Sequence, residues 1–383
     1  MEKRISKLAF LLIAFSISVM HTVFSQIDAP LRPEKWIEKM GTGSWMIFNI
    51  PPDKFGFADA KYSEVLVDSI VAAGFTGGRL HWQARDLVDE QSNLINPEAV
   101  KFLSAIIDDL TARNMAICLQ YDCLKKEESK AMTRQTWAKY LSTWEQLCIA
   151  FKDKSHLLAM CPVIEFHGFE YLRKKAIKTK DISYKQALVD STNVFYTKCT
   201  EIFRRHNPTR IMSYKPWGSA KTLPFHELDF PYANDPADPS EGYYVASGSG
   251  AYGMGEWELY SAADAVKKDE LVFQMLTAGK GKEELGIAYA VKWREQTGIQ
   301  FWIDHWEPDY WKNGDWTVEQ NLAYVESLLD TLRELRIASS GLQIRRMWDS
   351  DKENWKDEAF VSELLPIIKK YSWRNELTEH VRE

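Results

Sequence analysis

LLAMCPVIEFHGFE, Leu157 to Glu170, is an apolar run that ends abruptly in a carboxylate, an imidazole and a glycine. A parallel strand covered on both faces reads as such an unbroken run, and in sheets of that kind the chemistry gathers at the carboxyl ends of the strands. The stretch therefore predicts a buried strand that delivers Glu165 and His167 to a pocket.

On its N-terminal side the chain alternates strand and helix. GSWMIFNI, Gly43 to Ile50, is closed by Pro51 and Pro52 and predicts a first strand, followed by a helix from Tyr62 to Ala73 that Gly74 stops. GRLHW, Gly78 to Trp82, predicts a second strand with Arg79 and His81 on one side. Asn96 then caps a helix, Pro97 takes its first position, and Val100, Leu103, Ile106, Ile107 and Leu110 keep a helical period until Asn114. Met115 to Leu119 is strand three and ends in Gln120, Tyr121 and Asp122, and the helix from Thr133 to Phe151 leads into the opening stretch.

On its C-terminal side a long helix from Ser183 to His206 precedes RIMSY, Arg210 to Tyr214, a fifth strand ending in Lys215, Pro216 and Trp217. Two stretches compete for the sixth strand, His226 to Ala233 and Gly242 to Ser247, and GSGAYGMGE, Gly248 to Glu256, reads as an irregular loop or lid. Helical segments from Ala262 to Gly279 and Glu283 to Thr297 lead to IQFWIDHW, Ile299 to Trp306, a seventh strand ending in Asp304, His305, Trp306 and Glu307. After a helix from Thr317 to Arg336 comes GLQIRRMW, Gly341 to Trp348, as an eighth strand, and Asp357 to Tyr371 is a closing helix. Eight strand candidates alternating with helices, with no internal repeat and no linker, predict one α/β domain over 26–383, a single (β/α)8 TIM barrel.

Composition agrees with one large core. Of 383 residues 45% are hydrophobic and 13% aromatic, which excludes general disorder. The formal net charge of -6 comes from interspersed charges with no lysine or arginine block of the kind that neutralises phosphates along a groove, so nucleic acid is not an expected partner. Residues 1–25 read as a signal peptide, with basic Lys3, Arg4 and Lys7, an apolar core from Leu8 to Val23, and small Ser25 at the cleavage point. No second membrane-length stretch follows, so a secreted or periplasmic protein is expected. Cys118 and Cys161 sit inside apolar runs as buried thiols, Cys123 with Cys148 or Cys199 is a weaker disulfide option, and the odd count of five leaves at least one unpaired.

With the strands placed, the chain resembles glycoside hydrolase family 5 and the wider clan of barrel glycosidases. The carriers are GGRLHW, where Arg79 and Leu80 match an Arg-Leu-Pro-like motif with His81 at the proline; PVIEFHGFE, which offers Glu165 and Glu170 where the family has its Asn-Glu acid/base; and IQFWIDHW, which sets Asp304 and His305 at the Gly-Glu of the nucleophile strand. Trp348 is the counterpart of the tryptophan that floors the family's sugar site. The resemblance implies a barrel glycosidase whose site lies at the carboxyl ends of strands four and seven.

Retaining glycosidases hold two carboxyl groups about 5 Å apart and inverting ones about 6.5–9.5 Å. On this reading Glu165 is the general acid, in an apolar surround of Ile164 and Phe166, and Asp304 or Glu307 is the nucleophile or base. The plainer reading of Glu165 is an interior salt bridge to Arg79 or Lys215. His167 and His305, with Gln120, Asp122, Lys215 and Arg345 near the same mouth, suit an acidic sugar and open a second mechanism. That mechanism is β-elimination from a uronic acid, with a Lys, His or Tyr base and Arg79, Lys215 or Arg345 neutralising the carboxylate. A metal site from Glu165, His167, Asp304 and His305 would draw its ligands from separate strands with no local spacing, so no metal and no cofactor is expected. Trp217, Trp306, Trp311 and Trp348 are candidate sugar platforms, Trp302 is core, and a carbohydrate-binding barrel without catalysis is the non-enzyme alternative.

Overall fold

The structure is a computed structural model that describes residues 29–48, 61–84, 87–124, 126–164, 168–215, 242–249, 287, 291, 294–295, 297–311 and 316–373. The leader, the 226–233 strand alternative, the 262–279 helix and most of the 283–297 helix lie outside the described residues, as does the 248–256 loop beyond Ser249.

Eight parallel strands form a closed barrel in chain order: β1 Thr42–Met46, β2 Gly77–Gln83, β3 Ala116–Asp122, β4 Leu158–Cys161, β5 Met212–Tyr214, β6 Tyr244–Ser249, β7 Phe301–His305 and β8 Ala338–Gln343. Closure is made by β1 on β8, with Thr42 opposite Ser339 and Trp45 opposite Gln343. The sixth strand is the Gly242 to Ser247 alternative, shifted two residues on, and Val245 is buried as a strand between two neighbours requires.

Helices form where apolar period and end signals coincide. The Pro97–Ala112 helix starts at Asn96, whose side chain accepts from Glu98 N, and buries Leu103, Ile106, Ile107 and Leu110. The Arg134–Ala150 helix is capped by Thr133. Val318–Glu334 begins in a full capping box, with Thr317 and Gln320 satisfying one another's backbone donors. The long fifth-unit helix runs Ile182–His206, and Ala359–Lys370 closes the barrel wall.

The helix Pro33–Met40, which the sequence reading did not place, plugs the amino-terminal end of the barrel. Trp36 is fully buried, donates through Nε1 to the Leu157 carbonyl just ahead of β4, and meets Trp302 of β7 edge to face at 5.9 Å. Met40 lies so near β2 that a Cβ at Gly77 would sit 2.7 Å from its sulfur and 2.5 Å from the Ala116 carbonyl. Only glycine lets plug and sheet come that close.

The eighth strand corrects the expectation of Gly341 to Trp348. The strand ends at Gln343, and Ile344–Met347 is a helical turn. Trp348 then belongs to a two-stranded ribbon, Trp348–Asp349 against Asn354–Trp355, with the two indoles edge to face at 5.2 Å. The apolar pattern of IRRM serves a turn as well as a strand, and the ribbon decides between them.

Candidate active site

The carboxyl ends of the strands meet around one buried ion pair. Asp304 of β7 is fully enclosed; Lys215, just past β5, is 1% exposed and pairs with its Oδ2. Gln120 of β3 donates to the same oxygen at 2.7 Å. The Asp304 carbonyl accepts from Arg79 Nη1 of β2 at 3.0 Å and from Ser340 Oγ of β8 at 3.1 Å. Burial pushes the Asp304 carboxyl up, but Lys215 and then Arg79, with the hydrogen bonds from Lys215 and Gln120, outweigh it and hold it below its ordinary range.

Lys215 has a second contact. Its Nζ donates to the Ile164 carbonyl at 2.6 Å, so one ammonium ties the end of β4, one residue before Glu165, to the carboxylate one residue before His305. Its backbone is fixed by Tyr196, whose hydroxyl donates to the Lys215 carbonyl and accepts from Lys215 N at 3.3 Å. Glu165, His167 and Trp217 lie outside the described residues, as does the side chain of His305.

The remaining expected residues divide between mouth and core. Glu307 is half-buried past β7 and accepts from Gln343 Nε2, while the other end of that amide accepts from Arg345 Nε at 2.7 Å. Gln343, which the sequence reading passed over, thus orients a candidate carboxylate; the signal was a polar residue closing an apolar strand. His81 is half-buried, stacks on Trp45 at 5.7 Å and accepts the indole N–H at Nδ1, 3.2 Å away. Arg79 is 3% exposed with its guanidinium 4.4 Å above the same indole, so it supports β1 and β7 from within the barrel. Asp122 is half-buried, accepts from Leu124 N at 3.0 Å, and faces a small pocket with Tyr140, Ile164 and Phe195.

Two proposed sugar platforms are packed instead. Trp306 is 2% exposed, and its ring lies over Gly341, where a Cβ would fall 2.3 Å from it; Trp348 is 3% exposed against Trp355. Tryptophan faces wedged between a strand and its neighbours have no side left for a ring. Trp311, half-buried, packs edge-on against Phe360.

All five cysteines are buried free thiols. Burial pushes Cys123 and Cys161 up to about 12 and raises Cys118, Cys148 and Cys199 as well, so none is a ready nucleophile. Among the described residues no group of three or more His, Cys, Asp or Glu is arranged to hold a metal ion, and no helix is long and apolar enough to cross a membrane.

No protein-family model matches the sequence, and no curated protein matches it. Among solved structures the chain is similar to Cel5A of Thermotoga maritima in complex with a mannotriose substrate: 13% identity, TM-score 0.62, covering 88% of this chain and 99% of that one. It is also similar to a tri-modular family 5, subfamily 4 endo-β-1,4-glucanase from Bacillus licheniformis, at 14% identity and TM-score 0.62 over 88% of this chain and 61% of that one. Identities this low establish the shared (β/α)8 barrel, and the chemistry has to come from the residues of this chain.

Proposed function

We propose that the chain is an exported glycoside hydrolase that cleaves a poly- or oligosaccharide at the carboxyl-terminal mouth of the barrel, with residues 1–25 as its leader. Glu165 is the general acid, and Glu307 is the second carboxylate, acting as nucleophile or base. The observation that carries this reading is the Lys215 bridge from the Ile164 carbonyl to Asp304, which holds the two strand ends that bear the reacting groups against each other.

On this reading Asp304 has a different task from attack. A carboxylate with no exposed surface and an ammonium on one oxygen is poorly placed to reach an anomeric carbon. It is well placed to neutralise Lys215. An uncompensated ammonium beside the β4 end would draw the Glu165 proton off; with Asp304 ionised, Glu165 can stay protonated until the leaving group takes its proton. Glu307, half-buried and oriented by Gln343, keeps the access that a second carboxylate needs. His305, which ends β7 at the same mouth, would bond a sugar hydroxyl.

The test is turnover on a panel of neutral and uronic-acid oligosaccharides. New reducing ends without a new double bond support hydrolysis. An unsaturated uronate product would instead establish a lyase, and saturable binding with no product would establish a carbohydrate-binding barrel.

A further inference from the structure

The Ile182–His206 helix is longer than its place in the barrel wall needs. Its residue Phe195 shares a pocket with Asp122 and Ile164 at the strand ends, and the helix finishes at His206 just ahead of β5. From Ile182 to Phe195, thirteen steps at about 1.5 Å each, the helix therefore runs about 20 Å before it reaches that pocket. The Glu170–Thr179 helix packs back along this projecting half; Leu172 and Ala176 are buried on one helix, Leu188 and Val189 on the other. The pair is a wall that rises past the barrel mouth and is anchored at its foot, where Glu170 meets Lys130 of the Lys126–Ala131 helix at 3.7 Å.

This wall is cationic in an acidic chain. Residues 170–185 carry Arg173, Lys174, Lys175, Lys178, Lys180 and Lys185 against Glu170 and Asp181, a local net of +4 where the chain as a whole has -6. Tyr171, Lys174 and Lys178, spaced i, i+3, i+7, fall on one face of the helix, and all three are exposed, Tyr171 by 55%. Beside them Lys175 lies over the Tyr184 ring at 5.1 Å, which joins the two helices. An aromatic face flanked by ammonium groups matches a sugar ring whose apolar C–H face stacks while its carboxylate or sulfate is neutralised.

We propose that Tyr171, Lys174 and Lys178 form a binding surface for an anionic glycan chain, a uronate or sulfated polymer, beside the mouth. The proposal rests on the hydrolase reading for its biological setting, and its three residues are not among the groups assigned to catalysis. A long nucleic acid fits less well, because a patch of about two helical turns, about 10 Å, is set in a chain of net charge -6 that repels an extended polyanion.

The experiment is affinity electrophoresis of the whole protein in gels containing polygalacturonate, a neutral β-glucan, or single-stranded DNA, read together with turnover of a short soluble substrate. The expected result is retardation by polygalacturonate that weakens with added salt and none by the glucan. Affinity should fall roughly tenfold in K174E/K178E, with turnover of the short substrate unchanged. Tyr171→Ala should weaken polygalacturonate binding without changing its salt dependence. K174Q/K178Q serves if the charge-reversed protein fails to fold. Unaltered mobility in polygalacturonate, full retardation of the variants, or equal retardation by DNA would overturn the proposal. Absence of turnover with intact, variant-sensitive binding would count against the hydrolase reading alone.

Discussion

Lys215 and Asp304 are the residues on which fold and chemistry meet. Their pair is fully desolvated, so losing one partner leaves an isolated charge in the barrel; Lys215→Met should cost about 3–5 kcal/mol in urea unfolding. Asp304→Asn removes the charge with little change of shape and separates the roles. The Asp304 carboxyl is held below its ordinary range in the folded protein, so its stabilisation is complete above the unfolded pKa near ~3.9 and is lost as pH falls through the folded value. The stability gap between the native protein and Asp304→Asn should therefore be full at neutral pH and shrink below about pH 3.9. On activity, Asp304→Asn leaves the Lys215 ammonium uncompensated at the Ile164 carbonyl; if Glu165 is the acid, as proposed, the alkaline limb of the kcat/KM profile should move to lower pH. An unchanged limb would remove Asp304 from the electrostatics of the site.

At the scale of elements, stability lies where close approaches leave no spare volume. Gly341→Ala drives a methyl into the Trp306 ring and should lower stability by about 1–3 kcal/mol. Trp36→Ala empties the plug under β4 and β7 and should cost about 3–5 kcal/mol; thermal or urea unfolding reads both. The order and kind of the strands were legible because buried parallel strands write themselves as apolar runs; the cap at Asn96 marked its helix start to the residue, and the helices read from Thr133 and Thr317 begin one residue later, with those threonines as caps. The plug was not legible. Pro33 announces a helix as readily as a linker, and what decides is that Trp36 finds the Leu157 carbonyl, 121 residues away. Trp348 shows the same limit, since its apolar run reads as a strand until the pairing of Trp355 across a short ribbon pulls it out of the barrel.

At the scale of the molecule, all five thiols are buried and none is paired. Denatured protein without reductant should titrate five thiols, and reductant should leave the unfolding midpoint unchanged. A lower thiol count would establish a bridge. The barrel itself sets the ends of strands four and seven within reach of one lysine, so that the Ile164 carbonyl and the Asp304 carboxylate, distant in sequence, meet on Lys215. The sequence showed which strand ends carry charge; it did not show which charges are sequestered, because exposure depends on neighbours contributed by β2, β3, β5 and β8. Asp304 and Glu307, equivalent as letters, differ in that one is closed in by Lys215 and Gln120 while the other stays half-open beside Gln343.

The central claim is that Glu165 donates the proton to a leaving sugar. The most direct measurement compares native protein with Glu165→Gln on the best oligosaccharide of the panel and on an analogue with an activated leaving group that needs no protonation. The account predicts a loss of about 10²–10⁴ in kcat/KM on the natural linkage and a far smaller loss on the activated analogue. Full activity of Glu165→Gln on the natural linkage would contradict it.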